Sequence, residues 1–278
     1  MKTITLREEG KKDYFITEAY RTLRTNMQFC GKDVHVIALT SCMPNEGKTT
    51  LTIELAKSLA EIGKKVLMID ADLRKSVVVR KYTKEQGVVG LSQFLSQQAT
   101  EEDVLYKTQY EGLDIIFAGQ YPPNPVELLG SLAFREYMQE CKKKYDYVLI
   151  DTPPLGMVID GAVVASSCDS AIMVINAGRI HRAQAIEVRD QLMRSGVRIL
   201  GVVLNHADAG KRMNKATGSY LSKYSRYYRY EGKYMAHKSQ IHAATAAQGA
   251  RPQAPVVPTT PTTPAEQKPS ENPFDVFN

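Results

Sequence analysis

From residue 34 onward the chain alternates short runs that are apolar at nearly every position with longer stretches whose apolar residues recur every three or four positions. The short runs are "VHVIALTS" (34–41), "KVLMID" (65–70), "LDIIFAG" (113–119), "YDYVLID" (145–151), "SAIMVINAG" (170–178) and "RILGVVLNH" (198–206). Their length and β-branched content predict strands. "KTTLTIELAKSLAEIG" (48–63) reads as a helix ending at Gly63, "GSLAFREYMQECKKK" (130–144) and "HRAQAIEVRDQLMRSG" (181–196) carry helical spacing, and residues 15–29 predict an N-terminal helix. Strands apolar on both faces with helices between them predict an α/β fold, a mostly parallel sheet with helices on both faces.

The pattern stops near residue 210. "YLSKYSRYYRYEGKY" (220–234) is basic and rich in tyrosine, and "QGARPQAPVVPTTPTTPAEQKPSENPF" (248–274) is low in complexity. Such composition lacks the apolar content for a core, so a disordered C-terminal tail is expected. The chain divides into an N-terminal segment (1–33), an α/β domain (34–210), a basic tyrosine-cluster segment (211–235) and a Pro/Thr-rich tail (236–278).

Charge sharpens this division. Residues 1–210 hold 26 basic and 26 acidic side chains, whereas residues 211–251 hold 9 against 1, so the basic character is local. Any nucleic-acid contact would have to lie in that one segment. Four scattered cysteines suggest reduced thiols rather than a zinc cluster or a disulfide framework. No apolar run reaches the roughly 18 to 20 residues of a membrane span, and the first fifteen residues carry no apolar signal region. A cytoplasmic chain is expected, with any membrane link made through a partner.

The candidate chemistry begins at "SCMPNEGKTT" (41–50), between a predicted strand and a predicted helix. A loop in that context directs backbone N–H groups and a helix N-terminus at an anion. Its residues Pro44, Asn45, Glu46, Gly47, Lys48, Thr49 and Thr50 form a candidate nucleotide loop, with Lys48 toward the β- and γ-phosphates and Thr49 on magnesium. The glycine that usually opens such loops is replaced by Cys42, and Asn45 stands where a sharp turn would often use glycine. Asparagine is among the residues that best tolerate positive φ.

Three aspartates stand at predicted strand ends: Asp70 and Asp72 in "VLMIDADLRK", and Asp151 in "YVLIDTPP". Ligands bind at strand carboxyl ends in open parallel sheets. Asp151 suits a magnesium-associated role, and Asp70 or Asp72 would accept a proton or hold the metal. Each alone reads equally well as a turn or helix cap; three beside a Gly-Lys-Thr loop do not.

Together these stretches resemble the cytoplasmic kinase domain of the bacterial tyrosine kinases of capsule and exopolysaccharide synthesis, in the separate-chain form of Gram-positive bacteria. "PNEGKTT" is similar to the family's Walker A motif, "VLMIDADLR" to its Walker A′ motif and "VLIDTPP" to its Walker B motif, and "PPNPVELL" (122–129) and "GMVIDGAVVA" (156–165) are also family-like. The resemblance covers about residues 15–235. It implies a P-loop NTPase fold and ATP with Mg2+ at Lys48 and Thr49. It further implies Asp70 as the base toward a tyrosine hydroxyl, and Asp72 and Asp151 in metal binding. Asn205 resembles a position near the nucleotide base in related ATPases. "NAGRIHR" (176–182) departs from the family's Arg-containing run.

Glu18, Arg21 and Arg24 in "EAYRTLRTN" share one helix face. Alone they read as a solvated charged face. The resemblance implies an intersubunit contact in a ring-like homo-oligomer, and as further partners a transmembrane Wzz-like polysaccharide co-polymerase, a protein-tyrosine phosphatase and protein substrates. Tyr220, Tyr224, Tyr227, Tyr228, Tyr230 and Tyr234 fall within fifteen residues, while the preceding 219 hold nine tyrosines, which marks them as candidate phosphoacceptors. A stacking platform for RNA is the competing reading of interleaved aromatics and cations, but nucleic acid is not expected as a partner. The alternative within the fold is a nucleotide-switch ATPase like MinD or ParA, against which Met43 stands in place of that group's signature lysine. The terminal "NPFDVF" reads as a short docking motif or as an unstructured end.

Overall fold

The computed structural model describes residues 2–7, 14–31 and 33–207. In chain order its elements are β1 (Lys2–Thr3), α1 (Tyr14–Gln28), β2 (Val36–Ser41), α2 (Lys48–Ala60), β3 (Val66–Asp70), α3 (Val78–Tyr82), α4 (Leu91–Leu95), α5 (Glu101–Val104) and β4 (Leu105–Lys107). There follow β5 (Leu113–Ile116), α6 (Pro125–Leu129), α7 (Leu132–Lys144), β6 (Tyr147–Asp151), α8 (Asp160–Ala165), β7 (Ser170–Asn176), α9 (Arg182–Arg194) and β8 (Arg198–Asn205). The six strands read from apolar runs are all present, each trimmed by one to three residues. The four helices read from periodicity are present as well.

The strands form one sheet in the order β1-β4-β5-β3-β6-β2-β7-β8. Every pairing is parallel except β4 with β5. Side chains alternate between the two faces of a strand, so residue parity assigns each to one of two cores. Val36, Ala38, Leu67, Ile69, Val148 and Ile150 pack with α4, α7, α8 and α9 on one face. Ile37, Leu39, Val66, Met68 and Leu149 pack with α1, α2 and α3 on the other. Both faces are covered, as the unbroken apolar character of these strands requires.

The helices show why their sequences fold as they do. In α7, Phe134, Tyr137, Met138 and Cys141 are buried at spacings of three and four, giving one apolar stripe. Ser131 Oγ accepts from Phe134 N at 3.2 Å at its start, and Lys142, Lys143 and Lys144 suit the negative end of its dipole. By contrast α2 is buried nearly all round, because it lies between the sheet and α1. Gly63, at φ +78°, follows its last turn in the left-handed conformation that glycine adopts without strain.

The topology also places the site. From β2 the chain runs through α2 to β3 on one side, whereas from β6 it crosses past β2 to β7 on the other. Open parallel sheets bind ligands at such a switch point, outside the strand carboxyl ends. The carboxyl ends of β3, β6 and β2 therefore lie side by side where the candidate residues stand.

The strands β1 and β4 and the short helices α3 to α6 and α8 were not expected from the pattern. With two to six residues each, they are too short to display a period. The tyrosine-cluster segment, the Pro/Thr-rich tail and the boundary near residue 210 lie outside the described residues.

Candidate active site

The loop after β2 is held by its own side chains. Met43 N donates to Glu46 Oε2 at 2.7 Å and Asn176 N donates to Glu46 Oε1 at 2.9 Å. Asn205 Nδ2 donates to the Glu46 carbonyl at 2.9 Å. Glu46 is thus a buried strut that ties the loop to the carboxyl ends of β7 and β8, rather than a group facing an anion. Asn45 adopts φ +65°, the conformation for which asparagine was noted. Gly47 lies at φ +85°, and a Cβ there would stand 2.0 Å from Asn205 Nδ2, so any other residue would be strained and would have to displace the Asn205 amide.

The absent opening glycine has a physical explanation. Among the described non-glycine residues, positive φ occurs at Asn45, Gln97 and His206, so Cys42 needs no glycine freedom. The close backbone approach occurs at Gly156 instead, where a Cβ would lie 2.2 Å from the Cys42 carbonyl oxygen. The Cys42 side chain is buried in the core, and burial pushes its thiol up to about 11.

Lys48 opens α2, where the first N–H groups of a helix have no intrahelical acceptor. Its ammonium pairs with Asp151 Oδ1 in the buried interior. Thr49 Oγ1 donates to Asp151 Oδ2 at 2.7 Å, and Thr52 Oγ1 donates to the Lys48 carbonyl at 3.0 Å. Thr50 turns away: its hydroxyl meets Tyr82 OH at 2.8 Å and Lys81 Nζ at 3.1 Å.

Asp70 ends β3 and stands directly opposite Asp151 in the β3–β6 register. It is fully buried, accepts from the Ser76 hydroxyl, and accepts from Asp72 N at 3.2 Å. Burial, with the neighbouring Asp151 carboxylate adding to it, pushes the Asp70 carboxyl up to about 8. Asp72 is also raised, by burial first; its Oδ1 accepts from Lys75 N at 2.9 Å. One residue pair beyond the sequence reading joins this cluster. Arg74 Nε donates to Asp160 Oδ2 at 2.7 Å and its NH2 group to Oδ1 at 3.2 Å.

The structure therefore brings together Lys48, Thr49, Asp70, Asp72 and Asp151, with Asn205 beside the loop. Glu18, Arg21 and Arg24 sit apart on α1. Glu18 Oε1 accepts from Arg21 NH1 at 2.5 Å, while Arg24 NH1 donates to Ser58 O at 2.6 Å on α2. Tyr220, Tyr224, Tyr227, Tyr228, Tyr230 and Tyr234 lie outside the described residues. Ser76, Thr52 and Asn176 were missed in the sequence because each acts through polar contacts that no spacing betrays. Asp160 lay within a stretch noted as family-like, but nothing in the stretch pointed to Arg74.

Comparison with known proteins adds identity to this geometry. A family described as "AAA domain" matches residues 34–187. The chain is 38% identical over 203 residues to the tyrosine-protein kinase CpsD of Streptococcus agalactiae, spanning 73% of this chain and 86% of that relative. The chain belongs to the bacterial tyrosine kinases. Among solved structures, the chimerical protein CapA2B2 matches with a TM-score of 0.67 and 30% identity, covering 74% of this chain and 94% of that one. The septum site-determining protein MinD of Pyrococcus horikoshii OT3, complexed with Mg-ADP, matches at 0.56 and 26% identity, covering 68% of this chain and 77% of MinD. As a bacterial tyrosine kinase on a P-loop fold, the protein has a nucleotide-binding loop. No helix among the described residues is long and apolar enough to cross a membrane.

Proposed function

We propose that this kinase transfers the γ-phosphoryl group of ATP to tyrosine, that its own cluster Tyr220 to Tyr234 is modified in trans within a homo-oligomer, and that it serves capsular or exopolysaccharide synthesis. The observation that carries the reading is the meeting of Lys48, Thr49 and Asp151 with a fully buried Asp70 at adjacent strand ends. The residues present fit magnesium and a nucleotide. A hydroxyl and carboxylates form the hard oxygen set that magnesium prefers, and an ammonium beside a helix N-terminus suits phosphate.

Thr49, Asp151 and Asp72 would hold the ion, which supplies neutralisation of charge on the phosphoryl group when bound. Lys48 and the first-turn N–H groups of α2 bind and orient the phosphates. In the transfer, the bond between the γ-phosphorus and the β,γ-bridging oxygen breaks and a bond to the tyrosine oxygen forms. Asp70 takes the hydroxyl proton and ADP leaves. With its pKa raised to about 8, this carboxylate is a stronger proton acceptor than an ordinary aspartate once ionised. Asn205, fixed between the loop and β8, is assigned to the nucleotide's base side.

The oligomer is assigned to the Glu18, Arg21 and Arg24 face of α1. The family resemblance supports a transmembrane co-polymerase as activator and a protein-tyrosine phosphatase as antagonist. Each phosphate would add about −1.5 to −2 charges to a segment that begins basic, which gives modification a route to releasing the tail. The test compares Asp70→Asn with wild type for fluorescent ATP-analogue binding and for phosphotyrosine formation. Binding retained with transfer reduced at least about a hundredfold supports Asp70 as the base. Equal transfer in both proteins refutes that role.

A further inference from the structure

Resting on this reading of the site, we infer that Arg74 and Asp160 form a clamp that sets the Asp70–Ser76 loop against the Asp151 turn, making both of them positioning residues. The loop is fastened at three points. Asp70 accepts from Asp72 N and from Ser76 Oγ, and Asp72 accepts from Lys75 N. These contacts fix the loop's internal shape, and Ala71 N, donating to the Asp151 carbonyl oxygen at 2.8 Å, ties the loop's start to the end of β6. The two-pronged contact of Arg74 with Asp160, made between residues 86 apart, supplies a second restraint, farther along the loop beyond Asp72.

Asp160 is well placed to be the fixed end. It is fully buried, whereas the Arg74 side chain is 35% exposed. It is followed by Gly161, where a Cβ would lie 3.1 Å from Thr40 Oγ1, 3.2 Å from the Pro153 carbonyl oxygen and 3.3 Å from Thr152 Oγ1. That tight approach seats the start of α8 on the end of β2 and on the two residues that follow Asp151. Thr152 is itself bound, Oγ1 to the Leu39 carbonyl oxygen at 2.9 Å. The guanidinium fork therefore reads the position of the Asp151 turn and transmits it to the loop that carries Asp72.

A planar fork on a carboxylate restrains both angle and distance, which a lysine's single ammonium does not. Groups that orient metal-binding carboxylates typically change metal affinity about 10- to 100-fold when removed. Loss of the clamp should thus weaken the response to magnesium while leaving the nucleotide's contacts with the Gly47–Thr49 loop intact.

The experiment uses the full chain and the variants Arg74→Met, Arg74→Lys, Asp160→Asn and Arg74→Met/Asp160→Asn. Binding of a fluorescent ATP analogue is measured without magnesium and across a magnesium titration, alongside phosphotyrosine formation. The expected result is magnesium-free affinity within about twofold of wild type and a half-saturating magnesium concentration raised about tenfold in either single variant. The double variant should be no worse than either single one, the mark of two residues acting as one device, and Arg74→Lys should fall between wild type and Arg74→Met. A much larger effect of Arg74→Met than of Asp160→Asn would show Arg74 acting on the nucleotide itself and overturn the clamp. Multiplying effects in the double variant, or an unchanged magnesium response, would overturn it as well. Should Asp160→Asn not fold, the half-exposed Arg74 variants alone decide between a shifted and an unshifted response. Magnesium-dependent binding is read without tyrosine transfer, so wild type lacking transfer would defeat the kinase proposal while leaving the clamp testable.

Discussion

Lys48, the first residue of α2, and Asp151, the last of β6, form an ion pair with side chains 7% and 1% exposed. Removing one partner of such a pair strands a buried charge, which typically costs about 3–5 kcal/mol. Lys48→Met should therefore lower the unfolding midpoint clearly, and Lys48→Met/Asp151→Asn should recover most of the loss. Chemical denaturation of the three proteins measures this. A phosphate entering the loop competes with Asp151 for the same ammonium, so the pair that stabilises the fold also bears on nucleotide affinity.

The elevated pKa of Asp70 gives a pH signature of definite sign. Its folded value, about 8, lies above the ordinary 3.8, so the native state retains the proton more strongly than the unfolded chain. Its contribution is fully present below about pH 4 and is lost as pH rises toward 8. Asp70→Asn carries no charge to bury. Its melting temperature should exceed that of wild type by an amount that grows from pH 4 to 8 and then levels. Calorimetry across that range checks the trend. In catalysis the accepting carboxylate form gains population over the same interval, so kcat/KM should climb through it, with the limb displaced to lower pH where cations favour the ionised form.

A side chain at Gly47 would be strained and would push against Asn205. In Gly47→Ala the new methyl group would enter the Asn205 amide and the residue would keep a left-handed φ of +85°. Nucleotide-analogue affinity should fall at least about tenfold, because the backbone is strained there and the Asn205 amide that holds the Glu46 carbonyl must give way. Titration by fluorescence measures the change. Cys42→Gly, at the position where a loop of this type usually has glycine, should not improve binding, since Cys42 is not in a conformation that needs it.

The arginines of α1 separate by environment. Arg24 satisfies the Ser58 carbonyl on α2, so Arg24→Ala should cost about 1–3 kcal/mol of stability. Arg21, exposed and paired among the described residues with Glu18 a turn away, should change stability by less than about 0.5 kcal/mol when replaced by alanine. If the α1 face joins subunits, Arg21→Ala should nevertheless reduce the assembled fraction in analytical ultracentrifugation.

Much of this architecture was legible before the fold was known. The six principal strands were readable because both parities are apolar, and the carboxyl-end aspartates because they terminate those runs. The loop's purpose was readable from Gly47-Lys48-Thr49, but its supports were not. Glu46 looks like one more loop residue until the fold brings Asn176 and Asn205, 130 and 159 positions away, against it. Arg74 and Asp160 were invisible as a pair for the same reason. Long-range polar contacts leave no periodicity, whereas burial of a whole strand does.

The most direct test of the central claim is mass spectrometry of dephosphorylated full-length protein incubated with Mg-ATP, alone and with the cytoplasmic segment of a membrane co-polymerase. Lys48→Ala and a variant with all six cluster tyrosines changed to phenylalanine serve as comparisons. The account predicts phosphate additions in wild type that map to Tyr220, Tyr224, Tyr227, Tyr228, Tyr230 and Tyr234 and are absent from both variants. Hydrolysis of ATP with no phosphate on any tyrosine, with or without the activating segment, would contradict it.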